Sequence, residues 1–132
     1  MFPEFSDFTA IIEDKEFIRE DGVHFPMSAI LRLVSLDRHH ETTLVLGYAS
    51  YEYITGLISS GTKLNLDQCY IDHLSLATYR QEKNIDRTDF IKITGLCARN
   101  SFFNNKVPVD LSYAEFISGA VNFENSCFVN GV

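Results

Sequence analysis

The chain has 132 residues, 45% of them hydrophobic and 22% charged, and its formal net charge is −7. This length and composition are typical of one globular domain, residues 1–132, and exclude a disordered chain. The acidic balance argues against direct binding of nucleic acid, because proteins hold phosphate backbones with Lys and Arg. Residues 1–62 carry most of the negative charge, which suits a solvated surface or a basic protein partner.

The three cysteines, Cys69, Cys97 and Cys127, are an odd number at wide spacing and do not form a disulfide framework. None lies in a CxxC pair, so no structural zinc site is predicted. Buried free thiols are typical of the reducing cytoplasm, which we predict as the location. The start of the chain has no signal-peptide pattern, and no run of about 18 apolar residues predicts a membrane span.

Two β-hairpins are predicted in the first half of the chain. Residues 8–19 begin with alternating apolar residues, which is typical of a strand, and Asp21-Gly22 is a strong turn signal after it. Residues 28–37 are apolar at nearly every position and are followed by the β-branched run TTLVLGY, which favours a second pair of strands. The polar stretch at 37–41 connects these two strands.

One short helix is predicted at residues 50–61. Ser50 is placed to cap its first turn, and Ile54 and Ile58 share one face with Leu57. Gly61 is placed to end it, since glycine readily adopts the left-handed conformation that follows a helix. The half from 1 to 62 is therefore predicted to hold two hairpins and one helix.

A five-residue rhythm marks the second half of the chain. In KLNLDQCYIDHLSLATY, residues 63–79, apolar residues fall five apart in two series, which are Leu66, Ile71, Leu76 and Leu64, Cys69, Leu74. The same two series recur later as Leu111, Phe116, Val121 and Val109, Ala114, Gly119. The rhythm then shifts by two residues and continues at Phe123 and Phe128. Neither a helix nor a flat strand has this period.

The units AEFIS at 114–118 and VNFEN at 121–125 carry the rhythm most clearly, and the pattern over 63–79 and 108–129 resembles the pentapeptide-repeat family. The resemblance implies a right-handed β-helix in which four units form the four sides of a coil. It also implies that the central Leu or Phe of each unit, and the residue two before it, point inward. Residues 80–107 would then be an insertion between two incomplete coils.

The sequence therefore predicts a mainly β fold. Its N-terminal part, 1–62, is hairpin-rich with one short helix, and its C-terminal part, 63–132, resembles a short right-handed β-helix. A β-sandwich and an α+β fold remain open as alternatives, because short strands with regular turns are common in them. Solenoid coils need a covered end, so the first half, a second copy or a longer chain must supply one.

The stretch DRHHE combines Asp37, His39, His40 and Glu41, with His24 nearby in sequence, and imidazoles and carboxylates bind transition metals or move protons. Adjacent residues of a strand point to opposite faces, so a polar turn is the simpler interpretation.

The stretch CYIDH offers Cys69, Asp72 and His73, and a Cys–His pair can form a thiolate nucleophile. In the repeat register, however, Cys69 faces inward and His73 outward. We therefore predict no catalytic residue, no metal ligand and no cofactor.

These observations favour a non-enzymatic protein-interaction or scaffold module that acts through a β surface and self-associates through its C-terminal end. The predicted interface residues are Tyr48, Tyr51, Tyr53, Phe123 and Phe128, because aromatic side chains are favoured at interfaces. The alternative is a small ligand-binding or hydrolytic enzyme domain that uses one of the two His/Asp/Cys clusters.

Overall fold

The strands and helices of the computed structural model, which describes residues 2–106, 108–119 and 121–129, confirm the predicted mainly β class. In chain order the elements are β1 (Asp7–Glu13), β2 (Phe17–Ile18), β3 (His24–Phe25), β4 (Ser28–Val34), β5 (Glu41–Tyr48), α1 (Tyr51–Ser59), β6 (Leu64–Asn65), β7 (Cys69–Ile71), α2 (Leu76–Lys83), β8 (Ile91–Ile93), β9 (Leu96–Cys97), β10 (Phe102–Asn104), β11 (Ala114–Phe116), β12 (Val121–Asn122) and β13 (Cys127–Val129). Neither helix is long and apolar enough, within these ranges, to cross a lipid bilayer.

The second predicted hairpin is present as β4 and β5, and the first is reduced to β2 and β3, because β1 pairs with β4. Strands β1, β4 and β5 form an antiparallel meander in which Ala10 lies opposite Leu31, and Leu31 lies opposite Leu44. Strands β2 and β3 pair around the turn at Asp21-Gly22, where Gly22 has a φ of 88°, a value that glycine adopts without strain.

Helix α1 has the predicted caps. The Ser50 side chain accepts a hydrogen bond from the Tyr53 amide, which satisfies one of the free donors of the first turn. At the other end Gly61 has a φ of 71°, and the amide of Thr62 donates to the Leu57 carbonyl at 2.9 Å. This is the glycine-terminated cap that the sequence predicted.

The second half of the chain winds through stacked coils whose neighbouring strands run parallel. Strand pairings and one bridge define four sides of the coil, and we name the sides by them. Side A contains β8 and β11, side B contains β6, β9 and β12, and side C contains β7, β10 and β13. Side D is marked by the parallel bridge between Ser75 and Asp110. The chain visits B, C and D, then A, B, C and D, and then A, B and C.

The five-residue rhythm marks the residues that face the interior of the coils. All six apolar positions of its first copy are at most 1% exposed, and they are Leu64, Leu66, Cys69, Ile71, Leu74 and Leu76. In the last coil Phe116, Phe123 and Phe128 are half-buried and pack against the same core. Between β11 and β12 the chain takes two more residues than between β8 and β9, which is the shift seen in the sequence.

The predicted insertion at 80–107 is wrong in its extent, because 91–104 form a middle coil. Two series five residues apart line its interior, namely Ile91, Leu96, Ser101 and Ile93, Ala98, Phe103. Ala98 and Ser101 are small, so an apolar pattern does not single them out. Small residues suffice there because each is covered by a coil on both sides.

A second helix, α2, was not predicted. The Ser75 side chain caps it by accepting a hydrogen bond from the Thr78 amide at 3.2 Å, and Asn84 ends it with a φ of 54°. Its surface is mostly polar and it lacks a continuous apolar stripe, so the sequence pattern predicted a loop. The contacts of Leu76 and Tyr79 with the coil hold it in place.

The two halves of the chain share one core. Strand β5 pairs in parallel with β7, and Gly47 lies opposite Cys69, so the hairpin sheet continues into side C. Phe25 of β3 and Ile54 and Ile58 of α1 join the interior residues of the first coil in one apolar cluster. The N-terminal half therefore covers the end of the coil at which β6 and β7 lie.

The opposite face of the six-stranded sheet β1-β4-β5-β7-β10-β13 encloses a second apolar cluster. Phe102 stacks on Tyr70 with ring centroids 6.0 Å apart, and Phe8 of β1 contacts the same Phe102 ring at 5.2 Å. The hairpin strands must therefore curl over side C. Phe2 and Phe5 complete the cover of this cluster.

Replacing Gly47 by alanine is expected to destabilise the protein by about 1–3 kcal/mol, because overpacking a filled core forces neighbours to shift. The new Cβ would lie 2.7 Å from Cδ2 of the fully buried Phe25. Urea unfolding measures the change.

The matched control is Gly56→Ala in α1, where a Cβ meets nothing within 4 Å. It is expected to stabilise the helix by ~1 kcal/mol. Equal stability of Gly47→Ala and the parent would show that the Phe25 ring moves aside freely.

Candidate functional site

The end of the coil at which β11, β12 and β13 lie, which we call the open end, is the strongest candidate site in the described chain. Each of these strands is the last strand of its sheet, β11 on side A, β12 on side B and β13 on side C. An edge strand presents backbone N–H and C=O groups that are free to pair with another chain. Three edges at one end of the coil present these groups on three of its four sides.

Apolar side chains fill the interior between these edges. Phe128 stacks on Phe103 of the coil below, with ring centroids 4.4 Å apart, and Phe123 meets the edge of both rings at 5.5–5.8 Å. Val121 of β12 lies opposite the buried Leu96 yet is itself 39% exposed. The stack of inward side chains thus ends in a half-covered apolar surface.

Two serines fix the distance between coils at the corner before side C. The Ser101 hydroxyl donates to the Leu66 carbonyl at 2.6 Å and accepts from the Cys69 amide at 3.2 Å. One coil further, the Ser126 hydroxyl donates to the Ala98 carbonyl and accepts from the Ser101 amide. The hydroxyls of Ser101 and Ser126 therefore each join two neighbouring coils.

Asp67 ties the outer side of the same corner. Its carboxylate accepts hydrogen bonds from the Arg99 amide and guanidinium, both at 2.7 Å, and from the Cys97 thiol at 3.0 Å. Burial by itself would raise the pKa of Asp67, but these bonds and the Arg99 charge outweigh it and lower the pKa to about 2. The ion pair therefore links the first coil to the middle coil.

A polar cleft of about 320 Å³ lies over this corner. Arg19 reaches into its floor, where its buried guanidinium donates to the Asp21 carboxylate at 2.9–3.0 Å and to the Asp67 carbonyl at 2.8 Å. The charges of Arg19 and Asp21 are therefore paired with each other. The bond from Arg19 to the Asp67 carbonyl connects the β2–β3 hairpin to the coil.

The outer face of side A carries a second exposed apolar patch. Phe90 and Tyr113 contact each other at 5.9 Å and are 65% and 49% exposed, and Ile117, which follows the end of β11, is 59% exposed. The Arg80 guanidinium lies over the Tyr113 ring, with Cζ 5.8 Å from the ring centroid. This patch adjoins the open end along β11.

The predicted tyrosines make contacts within the chain. The Tyr48 hydroxyl donates to Asp72 and the Tyr51 hydroxyl to Glu82, both at 2.9 Å. The Tyr53 ring packs 5.1 Å from Phe25 in the covered end of the coil. Their role in an interface stays a prediction, and the same holds for Phe123 and Phe128, which the structure does place at the open end.

The DRHHE stretch forms the exposed turn between β4 and β5. The Asp37 carboxylate accepts hydrogen bonds from the Ser35 hydroxyl and the His39 amide, which close the turn. His40 Nδ1 lies 3.7 Å from the same carboxylate. In the described chain no group of three or more His, Cys, Asp or Glu side chains is arranged to hold a metal ion.

The two reactive groups of CYIDH point to different surroundings. The Cys69 side chain is fully buried, its thiol donates to the Asp67 carbonyl at 3.3 Å, and burial raises its pKa to about 12. His73 lies against Tyr51 at 4.6 Å and shares a hydrogen bond with the Thr78 hydroxyl. The arrangement does not supply a thiolate nucleophile at neutral pH.

Sequence reasoning missed the aromatic patch on side A, because Phe90 lies in the predicted insertion, which left 91–104 out of the coil. The signal was present as the five-residue steps from Ile91 to Leu96 and Ser101.

Asp67→Asn is expected to lower the free energy of unfolding at pH 7 by on the order of 2 kcal/mol. A carboxyl whose pKa falls from 3.8 to about 2 on folding stabilises the protein above pH 3.8, and this contribution is lost as the pH falls through 2. The variant should therefore lose less stability than the parent between these pH values in urea unfolding series.

Glu20→Gln removes an exposed carboxylate beside the same cleft and serves as the control, with an expected change at pH 7 below ~0.5 kcal/mol. An Asp67→Asn variant that follows the parent through the whole acid range would contradict the proposed strength of the Asp67–Arg99 pair.

No protein-family model, no curated protein and no solved structure matches this chain. Its function must therefore be inferred from its own sequence and geometry.

Proposed function

We propose that the protein is a non-enzymatic interaction or scaffold module that self-associates through the open end of its coil. The observation that carries this proposal is the position of β11, β12 and β13, which are edge strands at the same end around a half-exposed apolar interior. Backbone hydrogen bonds along such edges supply affinity, and burial of the apolar interior adds to it.

A second copy of the chain is the occupant we propose. At the end at which β6 and β7 lie, α1 and the β2–β3 hairpin pack over the apolar interior, so that end cannot stack directly on another coil. A partner must offer edge strands in the same four-sided arrangement, and the open end of a second copy does so. The aromatic patch of Phe90 and Tyr113 is a further β surface for contacts with other proteins.

Membership of the pentapeptide-repeat family remains part of the proposal. The four sides of each coil and the inward pairs at five-residue steps support it. The coil from Leu96 to Val121 takes 25 residues, which is longer than four units of five. We also keep the cytoplasm as the proposed location, because the three cysteines are unpaired.

The expected solution mass of the parent is twice that of one chain, and Val121→Lys is expected to be a monomer. Val121 lies on an edge strand and is already partly exposed, so a lysine there leaves the monomer folded while placing a charge in the proposed interface. Light scattering after size exclusion, over a concentration series, measures both.

Ile18→Lys is the matched control, since Ile18 is 58% exposed on the β2–β3 hairpin at the covered end. It should remain dimeric, and circular dichroism should show both variants folded. A monomeric parent, or a Val121→Lys variant that stays dimeric, would refute self-association through the open end.

An enzyme that uses the CYIDH cluster would need a reactive Cys69, and we expect the opposite. With the thiol fully buried and its pKa raised to about 12, iodoacetamide at pH 8 should leave Cys69 unmodified in the folded protein and modify it in urea. Peptide mass mapping reads each cysteine separately. Rapid labelling of Cys69 in the folded protein would support the hypothesis that Cys69 is a thiolate nucleophile.

A further inference from the structure

We propose that the second copy joins through a two-fold axis that crosses sides B and D. In this arrangement β12 pairs with β12 of the second copy, and β11 pairs with β13 of the second copy. This inference rests on the proposed function, because it specifies how the two open ends meet.

The assembly closes at two copies. A head-to-tail arrangement would require the open end of one copy to meet the covered end of the next, where α1 and the β2–β3 hairpin pack on the first coil. The open end must therefore meet another open end, which is a two-fold, self-complementary contact. A two-fold axis that lies in the plane of the contact turns the second copy over. Its chain then winds around the shared coil axis in the opposite direction. Facing strands consequently run antiparallel.

A four-sided coil allows four such axes, and they differ in the strands that they bring together. The axis through sides B and D exchanges sides A and C, so each of the three edge strands faces a strand. The faces also match, since the outward Glu115 of β11 lies opposite Cys127, which is on the outer face of β13, and β12 faces its own copy. Side D, which has no strand among the described residues, faces itself.

The other three axes each leave at least one edge strand without a strand to face. The axis through sides A and C places β12 against side D and Glu115 of β11 against its own copy, which sets like charges directly opposite. The two axes through corners pair β12 with β11 or with β13 and leave the remaining strand facing side D.

Charge at the open end agrees with the axis through sides B and D. Glu115, the charged residue of β11, points outward and then faces β13, whose residues Cys127, Phe128 and Val129 carry no charge. On β12 the outward residue is Asn122, and amide side chains can both donate and accept when they face a copy of themselves.

Disulfide mapping tests the position of the axis. Directly opposed residues of antiparallel strands have Cα atoms about 4.5–5.5 Å apart, which a disulfide can bridge. The variants are Asn122→Cys and Glu115→Cys, each made with Cys97→Ser because Cys97 lies opposite Asn122 in the same stack. Each is oxidised with copper–phenanthroline, and the linked peptides are identified by mass spectrometry.

In the Asn122→Cys variant the introduced thiol is expected to link to the same position of the second copy. In the Glu115→Cys variant the introduced thiol is expected to link to Cys127 of the second copy. Ile18→Cys in the same background is the control for random collision and should give less than about a tenth of the linked product.

The two proposals fail separately. A parent that is monomeric by light scattering overturns both. A dimer in which Cys127 links to Cys127, in which neither variant links, or in which Ile18→Cys links equally well leaves self-association standing and overturns the axis through sides B and D.

Discussion

Parallel stacking of the coils is the constraint on which the rest of the structure depends. In a parallel stack each strand satisfies its backbone groups with the coil below and the coil above, so a single coil cannot satisfy them by itself. In the middle coil β9 and β10 pair with a strand on both sides and β8 pairs with β11, and the inward residues Ile93, Leu96, Ala98 and Phe103 are at most 1% exposed. The first and last coils each have one side that something else must cover.

The N-terminal half covers the first coil through contacts of two kinds. Strand β5 adds main-chain pairing along side C, and α1 with the β2–β3 hairpin adds apolar side chains over the interior. Gly47 shows how closely these parts fit, because the Phe25 ring occupies the space where a Cβ would lie. The hairpins and the coil therefore share one packed core, even though their strands follow different patterns in the sequence.

The corners of the coil hold the register that the strands need. The short strands of two or three residues contribute few hydrogen bonds each, so side chains at the corners supply additional ones. The Ser101 and Ser126 hydroxyls bond between coils inside the corner, and Asp67 with Arg99 does so outside it. These bonds fix the position of each coil on the one below it at the corner before side C.

By itself the sequence determined which residues face inward in the first coil, because a five-residue step returns the chain to the same orientation on the next side. It also determined the hairpins and α1, whose turn and cap residues, Gly22, Ser50 and Gly61, act on their immediate neighbours. Local chemistry of this kind is visible in a short window of sequence.

Only the tertiary structure decided which segments become neighbours. The sequence pattern did not predict the middle coil, because Ala98 and Ser101 are small residues that do not stand out as apolar. They are buried only because stacked coils enclose them. The sequence pattern did not predict helix α2, because this helix has no continuous apolar stripe. Its contacts with the coil hold it in place. The same packing left one end of the coil covered and the other open, since coverage depends on contacts between residues that are distant along the chain.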